Sequence, residues 1–311
     1  MKIVDMLTSG LEQGIIWAIL VIGVYISFRI LDVADLSIEG TFPLGGCTAA
    51  ILIFLGVNPY IASVLAMVAG MLGGLITGLL HTKLKIPAIL SGIITMTGLL
   101  SINLVILGFA SETSPVMSIL AMDRDVFTMF RDLLMNLFSL QKSLAYDIST
   151  VVVGIIFLSL SAGLVYWLFG TEIGMSVRAT GCNQRMARAQ GINTDLMIVL
   201  GLMLSNGLIA LSGALFAQNT GTAMVESGRG AIVIGLAAII IGEIIFGRKS
   251  FKRSLISIII GAIIFFIIKA GAIRLNVEYY LDLLTAILIA VILAMPLIKQ
   301  KLHAKKEVEK C

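Results

Sequence analysis

The feature that most constrains this chain is a succession of apolar runs, each near the length needed to cross a lipid bilayer. A helix needs about 20 residues to cover about 30 Å of hydrocarbon. Nine stretches meet or approach that length: 14–31, 37–55, 61–80, 88–109, 148–169, 196–218, 231–246, 255–273 and 280–298. Lipid offers the backbone no water, so a spanning segment must satisfy its own peptide groups, as a helix does. The expected fold is an all-α integral membrane protein, a polytopic bundle of about nine transmembrane helices over residues 1–298, followed by a basic tail at 299–311. Two runs are expected to be broken or half-inserted, because 37–55 contains Pro43, Gly45 and Gly46 and 231–246 is short. Composition excludes a soluble domain: 59% of residues are hydrophobic and only 13% charged, against roughly 25% charged in soluble proteins. Only Lys2 precedes the first run and no small-residue cleavage pattern follows it, so that run is expected to remain as a span.

The net charge of +4 says less than its placement. Lys83 and Lys85, then Arg178, Arg185 and Arg188, then Arg248, Lys249, Lys252 and Arg253, and finally the lysines of the tail occupy loops that nine crossings put on one side. Excess Lys and Arg marks the cytoplasmic side, which puts the tail inside and the N-terminus outside. Eight crossings with one broken element would put both termini inside. The long segment 110–147 falls outside. Phe127, Phe130, Leu134 and Leu137 recur in it at helical spacing among Asp125, Arg131 and Asp132, a pattern that predicts an amphipathic helix on the outer surface. It either packs on the ends of the spans or receives a substrate carrier.

The longest strongly polar interval of the second half is 171–195. Gln184, Arg185, Met186, Ala187, Arg188 and Ala189 favour a helix, and Gly191 suits its C-terminal cap. A short helix between two spans is predicted there, with Arg185 and Arg188 sharing one face. It is either a handle for a soluble partner or an ordinary basic loop.

Catalytic chemistry is sparse. No Ser–His–Asp, Cys–His, H-E-x-x-H or Cys-x-x-Cys arrangement occurs, and Cys47, Cys182 and Cys311 lie far apart. Gly242 to Ser250 approximates a phosphate-cradling loop, but Arg248 displaces the lysine and the segment ends an apolar run instead of following a strand. The chain is thus expected to be no enzyme, and to bind no metal, nucleotide or nucleic acid. Polar groups at membrane depth are costly and default to functional candidates. These are Asp35, Ser37 and Glu39 ahead of the Pro43 break, Asn103, Ser205 and Asn206, Gln218 and Asn219, Glu243 and Lys269. Glu243 and Lys269 either snorkel to the interfaces or form the coupling site of an ion-driven carrier. Gly70, Gly73, Gly74 and Gly78 predict close helix packing in the third run.

These residues carry a resemblance. The stretch from Ala34 to Gly40 resembles the D-L-S-V-G segment of ribose-type ABC importer permeases. Residues 179–193, ATGCNQRMARAQGIN, resemble the G-x-N-x-x-A-x-x-x-G-I-N segment of the same superfamily, which includes branched-chain amino acid permeases. The phrases FRILDVADLSIEGTFPLG, GLLHTKLKIPAILSGIITMT and GLMLSNGLIALSGALFAQ are most similar to its tryptophan/tyrosine permease subgroup. The resemblance implies a pair of permease subunits, an extracytoplasmic binding protein or lipoprotein that delivers the solute, and two cytoplasmic ATP-binding subunits that hold ATP and Mg²⁺. Within it the 181–191 stretch corresponds to the coupling helix, with Asn183, Arg185, Met186, Arg188 and Gly191 facing the ATPase. Asp35, Ser37, Glu39, Asn103 and Asn206 are the expected substrate-pathway residues, for an aromatic amino acid or, alternatively, a nucleoside or other small solute. The Ile-Glu-Gly ending at Gly40 departs from the ribose-type Val-Gly, and the extra first span of those permeases has no counterpart; both argue against a sugar.

Overall fold

The computed structural model describes residues 3–109, 116–119, 125–138, 142–247, 250–274 and 290. Apart from residue 290, the ninth run and the basic tail lie outside the described residues, as do Arg248 and Lys249.

The eight runs that fall among the described residues are helices. They are α1 (Ile3–Tyr25), α2 (Ile38–Phe54), α3 (Pro59–Thr82), α4 (Ala88–Gly108), α6 (Lys142–Leu168), α9 (Thr194–Thr220), α10 (Ala231–Phe246) and α11 (Phe251–Arg274). Seven spans among the described residues are long and apolar enough to cross a membrane, and α2, at 17 residues, is shorter. The bundle is built around α9, of which 83% of the spanning window is buried, against 28% for α4. Where Gly70, Gly74 and Gly78 of α3 meet α9, side chains would collide with Ala210, Leu202 and Val199, so the two backbones nearly touch. Gly73 belongs to a different face, toward Thr41 and Leu99. On the inner side of α1, Trp17 joins four helices, with ring centroids 5.0 Å from Phe42, 5.8 Å from Phe216 and 5.2 Å from Phe266.

Neither expected break lies inside its run. α2 runs unbroken through Pro43, which corrects the expectation of a break there. Pro43 withholds the N–H that Glu39 C=O would accept, and this freed carbonyl instead lies against Gly228, where a side chain would overlap it. Irregular backbone comes earlier, at 31–37, where Val33, Asp35 and Ser37 are buried in protein, as irregular chain at membrane depth requires. The short seventh run is likewise one unbroken helix, α10, which corrects the expectation of a break there too; a 3₁₀ turn, Val225–Gly228, precedes it and is set off by Gly230 at φ 75°.

The basic loops converge on one end. A π-helical turn, Ile26–Ile30, continues α1 and brings Arg29 to Glu243 of α10 at 2.7 Å. Lys85 approaches Asp195 at 3.5 Å, and Arg178 stands over the Phe251 ring at 5.2 Å. The loops at 81–86 and 171–191 and residues 250–253 therefore share a side. The opposite end carries a feature the sequence pattern did not show, a two-stranded antiparallel ribbon of β1 (Val116–Ser118) and β2 (Thr222–Met224), with Met117 opposite Ala223. Beside it lies α5 (Val126–Phe138), the expected amphipathic helix, which buries Val126, Phe127, Thr128 and Arg131. Its start is pinned by the Val126 N–H donating to Gln218 Oε1 (3.1 Å). Burial pushes the Asp125 carboxyl up from its ordinary value, against the Thr128 and Phe127 N–H groups and Arg131, which act to lower it.

Candidate functional site

Three of the five pathway candidates come together. Asp35 Oδ1 accepts from the Ser37 N–H (2.9 Å) and the Ser37 hydroxyl (2.6 Å), while Oδ2 accepts from Asn206 Nδ2 (2.7 Å). Asn206 Nδ2 also donates to Leu202 O of its own helix (3.1 Å). All three side chains are fully buried. The irregular 31–37 segment is thereby clamped to the middle of α9 through a carboxylate whose partners are all uncharged. Asp35, Ser37 and Asn206 line no open path in this conformation; they fix the chain that leads into α2. Asn103 stands apart, its Nδ2 donating to Gly40 O (3.1 Å) and holding α4 to α2, with its Oδ1 buried and unpartnered.

Glu39 is different. One turn beyond Asp35, its Oε1 accepts from the Gly230 N–H (3.0 Å), and it faces a cavity of about 580 Å³. Met96, Leu100 and Leu104 of α4 and Val116, Met224 and Val225 make the walls, and Glu226 and Arg229 complete them. Arg229 Nη2 is 3.8 Å from Glu226. The cavity thus offers charges of both signs against apolar, thioether-rich walls. Sequence reasoning missed Glu226, Arg229 and the α4 wall. The one available signal was a charged pair three residues apart just before the short seventh run.

At the basic end, α6 leads into a helical pair. α7 (Glu172–Cys182) had not been foreseen; α8 (Gln184–Ala189) is the expected short helix. The Asn183 side chain caps α8 by accepting from the Met186 N–H (3.1 Å), and Gly191 follows at φ 83°. Such a cap satisfies N–H groups that a helix start leaves free. Only Ala187 of α8 is buried, whereas Arg185 is exposed and Met186 is 60% exposed. Arg188 reaches back to Asp195 Oδ1 (2.7 Å) and Thr194 Oγ1 (2.5 Å), tying α8 to the start of α9. Glu243, the carboxylate offered above for ion coupling, is paired with Arg29. Among the described residues no group of three His, Cys, Asp or Glu could hold a metal ion.

Residues 6–293 match the family described as branched-chain amino acid transport system / permease component. This chain belongs to that permease family. A tyrosine transport system permease protein of Clostridioides difficile is 34% identical to the permease over 92% of this chain and 90% of its own length. An uncharacterized protein of Rickettsia prowazekii is 29% identical over 88% of this chain and 91% of its own. The ribose import permease protein of Escherichia coli K12 is 24% identical over 93% and 85%. No solved structure matches the permease. The resemblance drawn from the motifs is thus confirmed at family level, and the permease is a multi-pass helical membrane protein.

Proposed function

We propose that this permease is the membrane subunit of an ATP-driven importer of an amino acid with an aromatic side chain, working as a pair of identical subunits in the cell membrane. The observation that carries the reading is that Glu39 and Arg229 both line the 580 Å³ cavity. A zwitterion needs a carboxylate for its ammonium, a cation for its carboxylate, and apolar walls for the remainder, and polarizable Met side chains suit an aromatic ring. The name of the Clostridioides difficile relative supports the same solute class.

In this reading two ATP-binding subunits hold ATP and Mg²⁺ and grip α8 through Arg185 and Met186, with the basic tail on the same cytoplasmic side. An extracytoplasmic binding protein or lipoprotein delivers solute at the end that carries α5 and the ribbon. Force on α8 passes to α9 through the Arg188 bridge to Thr194 and Asp195. Because Asn206 of α9 holds Asp35, a shift of α9 carries the 35–39 segment with it and changes how Glu39 meets the solute. Such rocking of packed helices around a central site is a general mode of transport.

The test is uptake by the reconstituted complex of permease, ATPase and binding protein. Glu39→Gln and Arg229→Gln should each lower uptake of tyrosine or tryptophan at least tenfold while ATPase assembly persists. Unchanged uptake in both variants would sink the site. Solute accumulation driven by an ion gradient in vesicles with no ATPase would sink the ATP-driven reading itself.

A further inference from the structure

A second cleft, of about 550 Å³, opens at the α8 end between the last turn of α6, α7 and the first turn of α11. Tyr166, Trp167, Arg178, Phe251 and Lys252 are its principal side chains. We propose that it binds the headgroup of an anionic phospholipid.

Charge is the first ground. Arg178 and Lys252 bring two cations to the cleft, and none of its described lining residues carries a carboxylate. Glu172 follows the lining residue Thr171 and is exposed in the first turn of α7. With its guanidinium over the Phe251 ring, Arg178 keeps N–H donors free for phosphate oxygens.

Depth is the second. The cleft sits where two spans, Ala145–Leu168 and Phe251–Ile273, reach their ends. Trp and Tyr favour that level, with the ring in the acyl boundary and the polar edge toward headgroups. Trp167 is 70% exposed and Tyr166 51%, large exposures that a lipid would cover.

The third ground is the surface leading away from the cleft. Ile156, Leu160 and Leu164 are exposed at helical spacing down α6 from Trp167, and Ile256 is exposed on α11. An acyl chain fits along that track while its phosphate stays by Arg178 and Lys252. A free phosphate would leave the track bare, so a lipid matches the whole surface.

The full-length permease in bilayers of phosphatidylcholine doped with brominated phosphatidylglycerol provides the test, because bromine quenches a neighbouring indole. Trp167 reports on the cleft, whereas Trp17, only 5% exposed inside the bundle, gives a steady background. The wild type should prefer phosphatidylglycerol to phosphatidylcholine at Trp167 by about 25-fold, about fivefold for each surface cation. R178Q/K252Q should lose nearly all of that preference, and R178K/K252R should keep most of it, which separates charge from folding. Equal preference in wild type and R178Q/K252Q, or none in either, would overturn the proposal. Relief of quenching by soluble glycerol phosphate as effectively as by unbrominated phosphatidylglycerol would assign the cleft to a free anion and overturn it as well. So would a partner protein that shields Trp167 equally from both lipids.

Discussion

Replacing Asn206 with alanine strips one oxygen of a buried carboxylate of its donor. Asp35 Oδ2 takes its hydrogen bond from Asn206 Nδ2 at 2.7 Å, while Oδ1 keeps both bonds from Ser37. Hydrogen bonds between helices in a bilayer contribute only about 0.6 kcal/mol on average, because the separated helices find other partners. Here the acceptor is an ionisable group with no cation beside it and no exposure, so an orphaned oxygen costs about 2–3 kcal/mol, with more from the space left by the amide. The expected loss is about 3 kcal/mol, roughly a 150-fold change in the unfolding constant. Asp35→Asn replaces a carboxyl oxygen with an amide, so a following Asn206→Ala has less to orphan, and the double variant should retain about 1–2 kcal/mol relative to the sum of the single losses. The assay is reversible SDS unfolding of the permease in mixed micelles, followed by helical circular dichroism. A single-variant loss of about 0.6 kcal/mol or less, or additivity within about 0.5 kcal/mol, would refute the assignment of a buried carboxyl clamp.

The remaining predictions concern other parts of the bundle. Gly213→Ala places a methyl group on the Phe42 carbonyl where α2 crosses α9, so its melting temperature should fall by more than 5 °C; Gly98→Ala, with nothing within 4 Å of the new methyl, should leave melting unchanged or raised. Arg185→Ala should not alter melting but should weaken binding of the ATPase, measured by co-purification, at least tenfold. Arg188→Ala should also lower melting slightly, by less than about 1 kcal/mol, because its bridge to Asp195 is half exposed. Since burial raises the folded-state value of Asp125, its protonated form is the one the fold favours. The attachment of α5 should be firmest in acid and weaken as pH rises from the ordinary carboxyl range through the folded value. Hydrogen exchange of the Val126–Phe138 amides should follow that trend, and Asp125→Asn should flatten it.

Spans, basic loops and caps were legible because each is written in neighbouring residues. About 20 apolar residues in a row have one stable arrangement in lipid; Lys and Arg accumulate in the loops of one side; and Asn183 and Gly191 bracket α8 through contacts a few residues long. The motifs around Asp35 and Gly191 likewise carried the family without any coordinates. Tertiary structure decided the rest. Helices that are apolar all round, such as α2, α4 and α9, have no periodic stripe to say which face turns inward, so nothing local could set Glu39 toward the cavity and Asp35 toward Asn206, 171 positions away. Nor could local signals tell that Pro43 leaves α2 intact, since the freed Glu39 carbonyl is accommodated by Gly228 from a distant turn. Burial in lipid depends on what one helix shows the bilayer and is local; pairing of polar groups depends on which helices meet, and only the folded bundle determines that.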